Sequence, residues 1–184
     1  FLNNDVEIIS DSWLEEMLQL CQQKGVGMVG AKLYYPDDTI QHAGVVVGLG
    51  GVAAHVLCKL PRDAEGYMGR LRCVQEMSAV TAACMMVKTS VFKSVEGFDE
   101  ELKVAFNDID LCMKVRSKGE KIIFTPYAEL YHYESKSRGM EDTPEKQLRF
   151  SREVNCFRRK WERELLKGDP YYSPNLTLNN TDCS

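Results

Sequence analysis

Residues 1–7 read Phe1-Leu2-Asn3-Asn4-Asp5-Val6-Glu7, an apolar strand end that runs straight into a polar, acidic turn. Such a turn can hold a divalent metal against a diphosphate. Downstream, Phe106-Asn107-Asp108-Ile109-Asp110-Leu111-Cys112 places a second acidic cluster at a helix start. Tyr131-His132-Tyr133 then adds an isolated imidazole after a strand. Together these stretches point to a metal, a base and a sugar nucleotide gathered on one alternating α/β framework.

Composition sets the frame around them. A chain of 184 residues fits a single domain of ordinary size, able to bury about 70% of the surface its unfolded chain exposes. The apolar fraction of 44% and charged fraction of 27% suit a globular protein, and no apolar run is long enough to span a bilayer. A net charge of -4 gives no reason to expect nucleic acid as a partner. One basic patch stands out locally: Arg152, Arg158, Arg159, Lys160, Arg163 and Lys167. It reads as a solvated helix face, with a membrane surface or an anionic acceptor as the other reading. The 7 cysteines lack any Cys-x-x-Cys spacing, so the sequence predicts reduced thiols in a cytoplasmic protein rather than a zinc site or a disulfide framework.

Local signals divide the chain into elements. Ser10-Asp11-Ser12 opens a helix over 13–21, stopped near Gly25. A buried strand follows within 27–35, closed by the turn Pro36-Asp37-Asp38. Residues 40–48 read as extended, and Gly48-Leu49-Gly50-Gly51 as a loop whose spacing matches no phosphate-cradling fingerprint. Residues 59–72, broken by Pro61, Gly66 and Gly69, suggest a mobile cover over a site. The apolar run 77–87 carries Thr81, Ala82 and Ala83, small enough to let the backbone approach a ligand. A short helix at 90–95, an amphipathic helix at 108–118, strands at 121–125 and 130–133 separated by Pro126, and one charged helix over 143–167 complete the pattern. An irregular tail, 169–184, closes the chain.

Each candidate side chain has a plain structural reading beside the chemical one. Asp5 is either a metal ligand at the rim of a sheet or part of an ordinary Asn/Asp turn. Glu7 would project on the same side if the strand continues. Asp108 sits where a helix dipole keeps a carboxylate ionised, as a base for an acceptor hydroxyl requires, and where a simple cap would also stand. Asp110 has the same two readings. His132 is a core histidine or a metal-supporting imidazole.

The combination resembles bacterial family 2 glycosyltransferases of the GT-A fold, particularly their rhamnosyltransferase-like branch. The matching residues extend from Phe1 to about Gly139. Leu2-Asn3-Asn4-Asp5-Val6-Glu7 is similar to that branch's Asn-x-Asp form of the Asp-x-Asp metal motif. Val80-Thr81-Ala82-Ala83-Cys84-Met85-Met86-Val87 is similar to the segment beside the donor sugar. Gly97-Phe98-Asp99-Glu100 with Asn107-Asp108-Ile109-Asp110-Leu111-Cys112 resembles the Gly-Phe-Asp-Glu and Glu-Asp-x-Asp-Leu-Cys motifs. Tyr131-His132-Tyr133-Glu134-Ser135 resembles the later histidine segment.

The resemblance implies a partial GT-A fold: a mixed sheet flanked by helices, with a C-terminal helix. Residues 1–168 would form the metal and acceptor side of such a domain. It implies Asp108 as base, Asp5 and His132 as ligands of Mn2+ or Mg2+, and Asn3, Glu7, Thr81 and Ala82 beside the donor. Asp99, Glu100 and Asp110 would lie on the acceptor side. The function implied is inverting transfer from a nucleoside diphosphate sugar to a hydroxyl of a polysaccharide or glycolipid, in the cytoplasm or at the inner face of the membrane.

Two departures qualify the match. Asn107 stands where the family has Glu, and the half that grips the nucleoside base is absent upstream of Phe1. The chain is therefore expected to be an excised piece of a longer enzyme, inactive alone and prone to self-association through an exposed sheet edge. Two rivals remain at this point: a non-catalytic acceptor-recognition or assembly module with a vestigial site, and a metal-dependent nucleotidyltransferase using similar acidic clusters.

Overall fold

The computed structural model describes residues 1–133 and 143–183. Its spine is β2 (Val26–Tyr34), buried along its entire length, lying parallel to β8 (Lys121–His132). A strand buried on both faces needs apolar side chains toward each, and Val26, Met28, Val29, Ala31 and Leu33 supply them around the buried Lys32. Gly30 allows a close approach here, since a Cβ at that position would lie 2.4 Å from Val80.

Shorter strands complete a six-stranded mixed sheet. β1 (Val6–Ile8) pairs antiparallel with the end of β8. β3 (Ile40–His42) and β7 (Met85–Val87) pair antiparallel with β2, and β6 (Gln75–Glu76) with β8. A separate hairpin joins β4 (Val45–Val47) to β5 (Ala53–His55). The extended stretch 40–48 therefore divides between two sheets. It breaks at Gly44, whose φ of 99° is left-handed and whose Cβ would meet Met77 at 2.4 Å.

Helix α1 (Trp13–Cys21) packs Met17 and Cys21 onto one face of the sheet, against Val29, Ala31, Leu33 and Leu130. Its expected cap is not formed by Ser12, and Ser10 instead accepts the amide of Glu129 at 2.8 Å. On the other face, α2 (Thr89–Ser94) and α3 (Asn107–Ser117) share a core with Val80, Met85 and Ile122. The mixed sheet with helices on its faces agrees with the expected α/β class.

Two element boundaries differ from the sequence reading. Strands expected at 121–125 and 130–133 are one strand, because Pro126 falls in a bulge. Gly30 pairs with Phe124 and Lys32 with Glu129, so the intervening residues of β8 face only Ala31 and the missing proline N–H costs no ladder bond. The expected 143–167 helix divides into α4 (Pro144–Lys160), capped by Thr143, and α5 (Glu162–Lys167). The break falls at Trp161, whose indole N–H is held by Asp110 at 2.8 Å.

Residues 59–72, expected as a mobile cover, are packed on a second core. Leu71 is buried in a 3-10 turn beside Leu57 and Met77, and Thr39 bridges to Pro61. Residues 169–183 contain no helix or strand, yet they are anchored. Asp169 accepts the Val47 amide at 2.7 Å, and Gly50 N–H reaches the Leu178 carbonyl at 2.9 Å.

Candidate active site

The ends of β1, β3 and β8 meet the segment 80–84, and the polar residues of all four converge there. Asp5 leaves the turn before β1 and brings Oδ1 to 3.2 Å from His132 Nε2. Asn3 Nδ2 lies 3.1 Å from the same nitrogen. On the far side of the ring, Gln41 Oε1 is 2.7 Å from Nδ1, while Gln41 Nε2 donates to the His132 carbonyl at 3.1 Å.

Segment 80–84 connects this cluster to Asp108. Asn3 N–H donates to the Ala83 carbonyl at 2.9 Å, and Leu2 bridges to Cys84. Ala82 N–H donates to Asp108 Oδ2 at 3.1 Å, and the Ile109 amide reaches Oδ1 at 2.9 Å. The half-buried Asp108 carboxylate is thus oriented by two backbone donors at the first turn of α3. Asn107 turns its side-chain oxygen onto the Asp108 amide at 2.7 Å. A glutamate there could accept the same bond, so local geometry survives the Asn.

His42 supports the segment from behind. Thr81 N–H points to His42 Nε2 at 3.4 Å, and the ring meets His55 edge to face, centroids 4.8 Å apart. Burial, then the neighbouring His55 and His132, hold its pKa well below 6.5. All 3 histidines of the chain therefore belong to one neighbourhood.

The structure brings Asn3, Asp5, Thr81, Ala82, Asp108 and His132 into one neighbourhood. Glu7 is directed elsewhere, its carboxylate accepting from the Tyr133 hydroxyl at 2.5 Å, because Asp5 lies in the turn before β1 and strand alternation does not carry from it to Glu7. Glu100 is exposed. Asp110 does not offer an acceptor-side oxygen: it is fully buried, bonded through Oδ1 to Trp161 and to Lys160 at 2.8 Å, and paired with Lys114 at 3.5 Å. Lys160 also binds Asp99 at 2.5 Å, and the resulting hydrogen bond, with one from the Glu101 amide, lowers the Asp99 pKa. Asp99 and Asp110 thus fasten the C-terminal helices to the domain. Glu134 and Ser135 lie outside the described residues.

Three contributors were missed from the sequence. Gln41 and His42 carried no motif, and only the pairing of β3 with β2 brings them to the site. Glu153 was hidden in a charged helix. It is 3% exposed and accepts the amides of Lys103, Val104 and Ala105 at 3.0, 3.1 and 2.9 Å. This clamp fixes the loop before Phe106, whose left-handed φ of 64° starts α3.

Among the described residues, no three His, Cys, Asp or Glu side chains converge as a ready metal cage. Asp5 and His132 still fit a cation that completes its shell from a diphosphate, since Mg2+ and similar ions commonly take one or two protein ligands plus substrate phosphates. Asp5 Oδ1 is buried and has no hydrogen-bond donor among the described residues, a state that a cation relieves.

Comparison with known proteins places the chain in a family. The chain is 56% identical over 182 residues to the uncharacterized protein y4gI of Sinorhizobium fredii, covering 98% of this chain and 20% of that one. It is 40% identical over 184 residues to the O-antigen biosynthesis protein RfbC of Myxococcus xanthus, covering 100% of this chain and 14% of that one. A 62-residue stretch is 31% identical to an N-acetylglucosaminyl-diphospho-decaprenol L-rhamnosyltransferase of Mycobacterium tuberculosis, covering 34% of this chain and 20% of that one. The chain thus spans a fifth or less of the length of these relatives. The model of the family described as glycosyltransferase like family 2 matches residues 2–153, and the chain belongs to that family.

Proposed function

We propose that this chain is the metal and acceptor side of an inverting glycosyltransferase that uses a nucleoside diphosphate sugar. The observation that carries the reading is the hydrogen-bonded run from Asp108 through Ala82 and Ala83 to Asn3 and His132, with Asp5 Oδ1 3.2 Å from the His132 ring. An oriented carboxylate at one end of this run and an acid–imidazole pair at the other support the reading of a base beside a diphosphate.

In the proposed reaction an acceptor hydroxyl oxygen attacks the anomeric carbon as the bond from that carbon to the diphosphate oxygen breaks. Asp108 takes the hydroxyl proton, the nucleoside diphosphate leaves with the bonding pair, and one displacement inverts the anomeric centre. Backbone donors from Ala82 and Ile109 hold the Asp108 carboxylate in orientation throughout. Mn2+ or Mg2+ held by Asp5 and His132 would neutralise the diphosphate charge. Thr81 and Ala82 would lie along the donor. The names of RfbC and the mycobacterial rhamnosyltransferase favour an acceptor in O-antigen or diphospho-decaprenol-linked saccharide assembly. No helix among the described residues is long and apolar enough to cross a membrane.

The test uses the complete parent protein. Asp108→Asn is expected to lower turnover by at least about a hundredfold while donor affinity stays within a few fold. Turnover is read as nucleoside diphosphate release and the product anomer by NMR. Unchanged turnover removes Asp108 from the role. An absence of donor cleavage in the wild-type parent favours a vestigial recognition module, and a nucleoside monophosphate product favours nucleotidyl transfer.

A further inference from the structure

Gln41 carries neither charge nor nucleophile, yet its amide makes two directed contacts to a single residue. Nε2 donates to the His132 backbone carbonyl at 3.1 Å. A carbonyl can only accept, so this contact fixes which end of the amide faces the ring. The end that faces it is Oε1, 2.7 Å from His132 Nδ1. Oε1 is also only an acceptor, so Nδ1 carries the hydrogen.

The other side of the ring agrees. Asn3 Nδ2, a donor, lies 3.1 Å from Nε2, which suits a nitrogen bearing a lone pair. Asp5 Oδ1 lies 3.2 Å from that nitrogen and receives no hydrogen from the described residues. Both facts follow from one tautomer. Two electron-rich atoms then face one another across a gap that a cation can bridge. A metal-binding histidine is commonly aimed in this way by a hydrogen bond to its second nitrogen.

We infer that Gln41 is a positioning residue for a divalent-cation site made by Asp5 and His132. It locks His132 in the Nδ1–H tautomer and keeps the Nε2 lone pair, which Asn3 engages in this structure, on the side of Asp5, where a cation would take the place of the Asn3 hydrogen. The inference deepens the metal reading above and rests on it. The strand itself is tethered, because the Gln41 carbonyl accepts from His55 Nδ1 at 2.8 Å, so the amide is presented from a fixed backbone.

The experiment uses the 15N-labelled chain, long-range 1H–15N spectra of the histidine rings, and Mn2+ alone as probe. Wild type is expected to show His132 as Nδ1–H and to have its ring signals broadened by Mn2+. Gln41→Leu should lose the fixed tautomer and weaken Mn2+ binding about 10- to 100-fold. Gln41→Glu, which still presents an acceptor to Nδ1, should restore both. A Gln41→Leu variant with wild-type tautomer and Mn2+ affinity overturns the proposal, as does an Nε2–H tautomer in the wild type. If Mn2+ fails to broaden the wild-type signals, the cation site falls, while the tautomer readout still decides whether Gln41 holds the ring. Loss of turnover in Asp108→Asn tests the transfer reading separately, since that substitution leaves Gln41 and His132 untouched.

Discussion

His42 is the residue whose burial has the clearest consequence in solution. Its Nε2 accepts from Thr81, so Nδ1 carries a hydrogen, and that hydrogen has no partner among the described residues. The folded protein keeps this ring neutral below the ordinary histidine range, with burial as the main cause and His55 and His132 adding to it. The unfolded chain protonates near 6.5. Below that pH the unfolded state binds more protons than the native one, so stability falls as pH falls. The contribution is fully present above 6.5 and declines as pH drops toward the depressed native value. We expect the melting temperature of the wild type to fall between pH 7 and pH 5, and His42→Gln, which retains an acceptor but cannot titrate, to show a shallower slope. Equal slopes in the two proteins, measured by calorimetry, would remove His42 as the cause. Asp5, Asp108 and His132 stood out in the sequence because acidic motifs and isolated imidazoles are local signals. Gln41 did not, since a glutamine in an apolar strand becomes meaningful only when the strand's partner is known.

At the level of elements, the C-terminal helices act on the site from a distance. Glu153 on α4 holds three consecutive amides just before α3, and Asp110 on α3 holds the Trp161 indole where α4 ends. The two contacts run in opposite directions between the same elements, so α3 cannot shift without α4. Glu153→Leu leaves three partly buried amides without their acceptor and is expected to cost about 1–3 kcal/mol, read as a drop in the denaturant midpoint. Glu153→Gln keeps one acceptor oxygen and should lose less. Equal stability of all three proteins would show that water replaces the clamp. Helices α1 and α3 were readable because their stops and apolar stripes are local. The break at Trp161 and the continuity of β8 were not. Each depends on a partner far along the chain: Asp110 for the indole, and the β2 register for the bulge that accommodates Pro126.

Across the whole molecule, apolar side chains gather on the side where β1 and α1 meet solvent. Phe1, Leu2, Ile8, Leu14 and Leu18 are each between 44% and 50% exposed, and Phe1, Leu2, Trp13 and Leu14 line a groove of about 380 Å³ there. Contiguous apolar surface of this kind favours association. We expect the isolated chain to self-associate in light scattering, and the double substitution Leu14→Glu with Leu18→Glu to shift it toward monomer without lowering its melting temperature. A wild-type chain that stays monomeric at high concentration would show that this face is tolerated by solvent.

The bulge in β8 has a further consequence for the site. Between Gly30 and Lys32 the strand β2 advances two residues, whereas β8 advances five, from Phe124 to Glu129. The excess is odd. Side chains alternate along a strand, so an odd excess inverts the parity of everything downstream, and residues after the bulge face opposite to where an uninterrupted strand would send them. β8 is in effect two ribbons spliced out of phase, and the splice decides which face His132 presents. The unpaired residues of the bulge absorb the change of phase, and the pairing of Leu130 with Leu33 and of His132 with Val6 then holds the imidazole on the side of Asp5.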